Sequence, residues 1–90
     1  MSGEIKIRAI AKRPDSGWYV TNVANNLPNL QKWVGGYIET VTLFHDLVIV
    51  CNEEGLLQGL PYNCTICGLK FVGDILELKD WKKLINWQEH

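Results

Sequence analysis

Apolar and charged positions alternate at the start of the chain. Ile5, Ile7, Ala9 and Ala11 share one parity and Lys6, Arg8 and Lys12 the other, with only Ile10 breaking the pattern. A period of two predicts a half-buried strand over residues 4–12. Arg13-Pro14-Asp15-Ser16-Gly17 has turn composition, so residues 18–23 are expected to return as the antiparallel partner in a hairpin. The period then changes. Leu27, Leu30, Trp33 and Val34 recur at helical spacing, with Asn26 placed to cap the helix, Pro28 in its first turn and Gly35-Gly36 ending it.

Residues 37–44 return to alternation and predict a third strand, with His45-Asp46 as the turn that follows. Leu47-Val48-Ile49-Val50-Cys51 is continuously apolar, the mark of a strand covered on both faces, and is expected to be central. Asn52-Glu53-Glu54-Gly55 fits a type I turn, residues 56–60 a short returning strand, and Gly59-Leu60-Pro61-Tyr62-Asn63 another turn. Residues 64–68 carry no clear signal. Residues 71–78 read as a last strand with a bulge at Gly73, and Asp80 as the cap of a C-terminal helix whose face carries Trp81, Leu84, Ile85 and Gln88. The expected fold is therefore α+β: a four- or five-stranded, mainly antiparallel sheet with a short helix after strand two and a C-terminal helix, both on one face. The 90 residues are expected to form a single domain, 1–90.

Composition narrows the function more than it identifies it. Nine Lys and Arg against ten Asp and Glu leave a net charge of -1, without the basic excess of a generic phosphate-backbone binder. Nucleic acid is thereby disfavoured as a partner. The N-terminus lacks the apolar region of a signal peptide, and no stretch is apolar enough to span a membrane, so a cytoplasmic protein is expected. Three cysteines without a secretory signal predict free thiols rather than a disulfide framework.

The candidate chemistry is sparse. Cys64-Thr65-Ile66-Cys67, with Cys51 and His45, has the donor types of a zinc site, but no second paired half is present and His45 and Cys51 would have to leave a turn and a strand to converge. No metal and no cofactor is expected. Glu53 and Glu54 are adjacent on a turn and point apart, unlike a facing pair of catalytic carboxylates. Gly35-Gly36 lies at the electronegative end of its helix, the wrong end for phosphate. The Lys6, Arg8 and Lys12 stripe is most simply a solvated strand face, with a phosphate or acidic-partner contact as the alternative. Trp18, Trp33, Tyr37, Tyr62, Trp81 and Trp87 are more large rings than a core of this size can enclose, so some are expected at the surface, where such rings mark contacts.

LQKWVGGYIETV followed by LVIVCNEEGLLQGLPYN, within residues 30–63, resembles the signature of a small uncharacterised domain family encoded by phages, plasmids and other mobile elements of bacteria, mainly Firmicutes. That family runs through a longer segment where this chain is compressed between Cys64 and Gly73. The resemblance implies an accessory protein of a mobile element and assigns no activity. Together these readings favour a non-enzymatic protein that binds a host protein or a small nucleotide ligand, as a counter-defence inhibitor or a sponge for a nucleotide signal. Tyr37, Glu39, Asn52, Glu54, Gly55, Gly59, Tyr62 and Asn63 are the candidate ligand or partner residues. In the nucleotide version Tyr37 or Tyr62 stacks on the base and turn amides near Gly55 and Gly59 take the phosphates. A small nucleic-acid-binding accessory protein is the alternative. An enzyme would need Glu39, Asn52, Glu54 or Asn63 to meet in a cleft. Open sheet edges favour a homodimer.

Overall fold

The computed structural model describes residues 6–43 and 47–78. Seven strands and one helix follow in the order β1 (Lys6–Lys12), β2 (Tyr19–Ala24), α1 (Leu27–Val34), β3 (Ile38–Thr42), β4 (Val48–Asn52), β5 (Tyr62–Ile66), β6 (Leu69–Val72) and β7 (Ile75–Leu78). Five strands make one fully antiparallel sheet in the order β2-β1-β7-β4-β3, while β5 and β6 form a separate two-stranded sheet.

The first hairpin pairs as the alternation requires, with Ala9 opposite Thr21 and Arg8 opposite Asn22. α1 covers the residues its caps delimit. Asn26 Oδ1 accepts the Asn29 N–H at 2.8 Å, and Gly35 ends the helix at φ 81°, a left-handed conformation that costs glycine nothing. The helix carries the chain from the β2 edge of the sheet to the β3 edge. Its buried residues Leu30 and Val34 pack on Ala9, Ala11, Val23, Val50, Leu76 and Leu78, which are the residues of one sheet face. On the opposite face Ile49, Cys51 and Ile75 are covered by Phe71, Cys64 and Ile66 of the small hairpin. Every residue of β4 is buried because it has a layer above it, a layer below it and a strand on either side.

Four expectations are corrected by this arrangement. The α+β fold with helices on one face gives way to a protein that is mostly sheet, with one short helix among the described residues and a second sheet on the far face. Residues 71–78 are not one bulged strand. Gly73, at φ 74°, turns the chain out of β6 in one sheet and into β7 in the other, and β7 rather than β4 takes the middle position. Residues 56–60 form no strand but a compact turn, with Leu56 and Leu57 exposed where a strand would have alternated. The proposed C-terminal helix from Asp80 and the His45-Asp46 turn lie outside the described residues.

Candidate functional site

The strand registers give the sheet two dissimilar ends. Lys6, Leu43, Leu47 and Leu78 lie at one end. The other end gathers the Arg13–Gly17 turn, the C-terminus of α1 with Gly35-Gly36-Tyr37, the loop from Glu53 to Pro61 and the Gly73-Asp74 crossing. Most of the residues singled out by the sequence are here.

Asn52 ties three of these pieces together. Its Nδ2 donates to the Val34 carbonyl at 3.0 Å and to Gln58 Oε1 at 3.2 Å, and its Oδ1 accepts the Glu54 N–H at 2.7 Å. The side chain is buried, and Gly36 lets it approach, since a Cβ there would stand 2.9 Å from Asn52 Nδ2. Asn63 ties another set. Its Nδ2 donates to the carbonyls of Lys12 at 2.9 Å and Gly73 at 2.7 Å, joining β1, β5 and the β6–β7 crossing, while its buried Oδ1 has no partner among the described residues. Leu60 packs over Gly73, where a Cβ would stand 2.7 Å from Leu60 Cδ1.

The other predicted residues are dispersed. Gly55 donates its N–H to the Asn52 carbonyl at 3.3 Å and Gly59 to that of Leu56 at 3.1 Å, so both turn amides are engaged within the loop. Glu54 is exposed on the loop. Glu39 is exposed on edge strand β3, paired with Cys51, whose thiol donates to the Glu39 carbonyl at 3.7 Å. Tyr62 is exposed, with its hydroxyl 2.8 Å from Thr65 Oγ1. Tyr37 is 66% exposed just past the helix, its carbonyl accepting the Glu53 N–H at 2.8 Å. Asn52 and Asn63 thus serve two separate sets of backbone partners.

The thiols do not converge either. Cys51 and Cys64 pack in the hairpin-side core, and Cys67 is exposed in the β5–β6 turn. Burial, followed by the charge of Glu39, pushes the Cys51 thiol up to about 11. Burial also raises Cys64, against an opposing effect of Lys12. Among the described residues no group of three His, Cys, Asp or Glu is placed to hold a metal ion, and no helix is long and apolar enough to cross a membrane.

Two surface features went unmarked in the sequence reading. Leu56 and Leu57 stand side by side on the loop, 76% and 87% exposed. The backbone beneath them is held by bonds from Gln58 N to Glu54 O at 2.9 Å and from Leu60 N to Gly55 O at 3.0 Å. The second is an open groove of about 620 Å³ whose lining includes Arg13, Asp15, Lys32 and Asp74 together with Trp33, Leu60 and Pro61. Its only warning in the sequence was a charged turn, Arg13-Pro14-Asp15, read for its geometry alone.

No curated protein and no solved structure matches this chain. The sequence model of DUF3846, a domain of unknown function, matches residues 7–82, a span that runs from β1 past the end of β7 and takes in both asparagine ties, and the chain belongs to that family.

Proposed function

We propose that this protein works by occupying another protein, through the end of the sheet that carries Leu56, Leu57 and Tyr37, and that it performs no chemistry of its own. The observation that carries this reading is the pair of leucines. Two neighbouring large apolar side chains held almost wholly in solvent on a hydrogen-bonded turn add nothing to the core. An exposed apolar pair on a backbone that is already ordered marks a contact surface and costs little further backbone ordering on docking. The buried Asn52 and Asn63 amides of the same region are spent on holding the fold, which supports a contact role over a catalytic one.

The resemblance of residues 30–63 to the mobile-element family supports a host protein as the partner, encountered in the host cytoplasm, and a counter-defence inhibitor as the form of the activity. The sponge for a nucleotide signal draws less support, because the Gly55 and Gly59 amides already have acceptors inside the loop. The nucleic-acid reading keeps one observation in its favour. Lys6 and Arg8 are exposed on a stretch of β1 that, with Val20 and Asn22 across on β2, belongs to neither core cluster. It predicts affinity that falls steeply with salt.

The test is affinity capture from a host lysate with the wild-type chain and with the double variant Leu56→Asp/Leu57→Asp, both exchanged from the same tagged form. Since the two side chains are exposed, the variant should keep its melting temperature and lose the captured protein. A partner retained equally by both forms would overturn the assignment of this surface, and a nucleotide carried by the wild-type protein in native mass spectrometry would favour the sponge.

A further inference from the structure

The groove beside the leucine loop has a composition that asks for a particular ligand. Three separate elements supply its charges: Arg13 and Asp15 come from the β1–β2 turn, Lys32 from the last turn of α1, and Asp74 from the crossing between the two sheets. Among the described residues none of these four side chains closes an ion pair or a hydrogen bond with another, although two of each sign line the one groove and Arg13, Asp15 and Lys32 are exposed. Their backbones are fixed. The Arg13 N–H donates to Ser16 Oγ at 3.0 Å and the Ser16 N–H to the Arg13 carbonyl at 3.1 Å, and Asp74 follows Gly73, which Asn63 and Leu60 hold in place. The same groove is lined by the half-buried Trp33 and Leu60 and by Pro61.

A phosphate or nucleotide would meet two carboxylates along with the two cations, and a purely apolar ligand would strand all four charges. A metal ion would find two carboxylates and two competing cations. The complement of this groove is a ligand that carries both signs around an apolar centre, and the cleft has the size of an ordinary ligand site. We propose that the groove is a recognition site for a segment of the partner protein in which a basic and an acidic side chain flank an apolar one. The apolar residue packs on Trp33 and Leu60, the cation faces Asp15 and Asp74, and the anion faces Arg13 and Lys32. The inference rests on the reading that the partner is a protein, and it adds the chemistry by which that protein is selected.

The experiment is a titration of the isotopically labelled full chain followed by amide and indole resonances. The probes are capped tripeptides of lysine, leucine and glutamate in both orders, the same peptide with glutamine at both ends, and adenosine monophosphate. The charged peptides should shift the Trp33 indole and the Gly35 and Gly73 amides saturably, with one order preferred, and the shifts should shrink when salt is raised to about 0.5 M. Arg13→Gln and Asp74→Asn should each weaken binding about two- to fivefold, the range of a solvent-exposed ion pair. Equal binding of the uncharged peptide would overturn the proposal, as would a response to adenosine monophosphate that survives Asp74→Asn and is lost in Arg13→Gln. Absence of a saturable shift with every probe would overturn it too. The titration reads the groove whether or not the leucine loop captures a partner, so a flat titration beside intact capture removes this inference alone, and failed capture beside a saturable titration removes the leucine assignment alone.

Discussion

Asn52 shows how a polar residue in a loop signature can belong to the fold. Its amide faces a helix carbonyl 18 positions earlier in the chain and an N–H two positions later, so it holds the end of α1 against the end of β4 and starts the turn that follows. Asn52→Ala leaves the Val34 carbonyl and the Glu54 N–H without this partner and opens a small void, and should destabilise the protein by about 2–4 kcal/mol. Asn52→Asp keeps the acceptor for Glu54 but turns an oxygen toward the Val34 carbonyl, so it should cost at least as much at neutral pH. Urea denaturation of the two variants measures this, and an unchanged midpoint for Asn52→Ala would show that the amide is no tie. The same residue explains a limit of the sequence. Asn52 and Asn63 bound the NEEGLLQGLPYN stretch as candidate ligand or partner residues, and nothing local distinguishes an amide that awaits a ligand from one that meets a carbonyl brought in by the sheet.

At the scale of elements, legibility followed the locality of the signal. The β1–β2 hairpin and α1 were readable because alternation, a short turn and two caps all sit within a few residues of what they determine. The Gly73 crossing was not, since Leu69–Val72 and Ile75–Leu78 have the same apolar pattern whether they continue one strand or serve two sheets. What decides it is the covered far face, and β4 carried the evidence: an apolar run demands cover on both sides, yet a single helix layer supplies only one. The small hairpin is that second cover, and Cys51 reports on it. Its thiol is raised from 9.0 to about 11 by burial and Glu39, so the folded state holds the proton more tightly than the unfolded one. The stabilisation from this difference is fully present below pH 9 and is lost as the pH rises through about 11. Denaturation midpoints between those limits should fall for the wild-type protein and fall less for Cys51→Ala, with Cys64 contributing a residual loss of the same sign. Thiol labelling at neutral pH should reach Cys67 first. An identical alkaline decline in Cys51→Ala would mean that the hairpin does not seal this face.

For the whole molecule, the open question is what the edges of the five-stranded sheet meet. β3 ends one side and carries Glu39, a charge of the kind that discourages strand addition. β2 ends the other side, and Tyr19-Val20-Thr21-Asn22-Val23-Ala24 contains no charge, proline or glycine. An uncharged six-residue edge invites another strand, and in a homodimer the simplest one is the β2 of a second copy, which would join two five-stranded sheets into one. This placement uses neither the leucine loop nor the groove, since none of their residues lies on β2. Light scattering coupled to size exclusion should therefore give twice the chain mass. Val20→Lys/Asn22→Lys, which replaces two exposed side chains on that edge, should give the monomer with little change in melting temperature. A wild-type monomer at the concentration of an NMR sample would rule the homodimer out and leave the β2 edge to the partner protein. A dimer that survives both lysines would move the interface elsewhere. The peptide titration separates these cases further, since a β2-paired dimer binds one peptide per chain, whereas a dimer formed through the groove would lose mass as the peptide displaces the second copy.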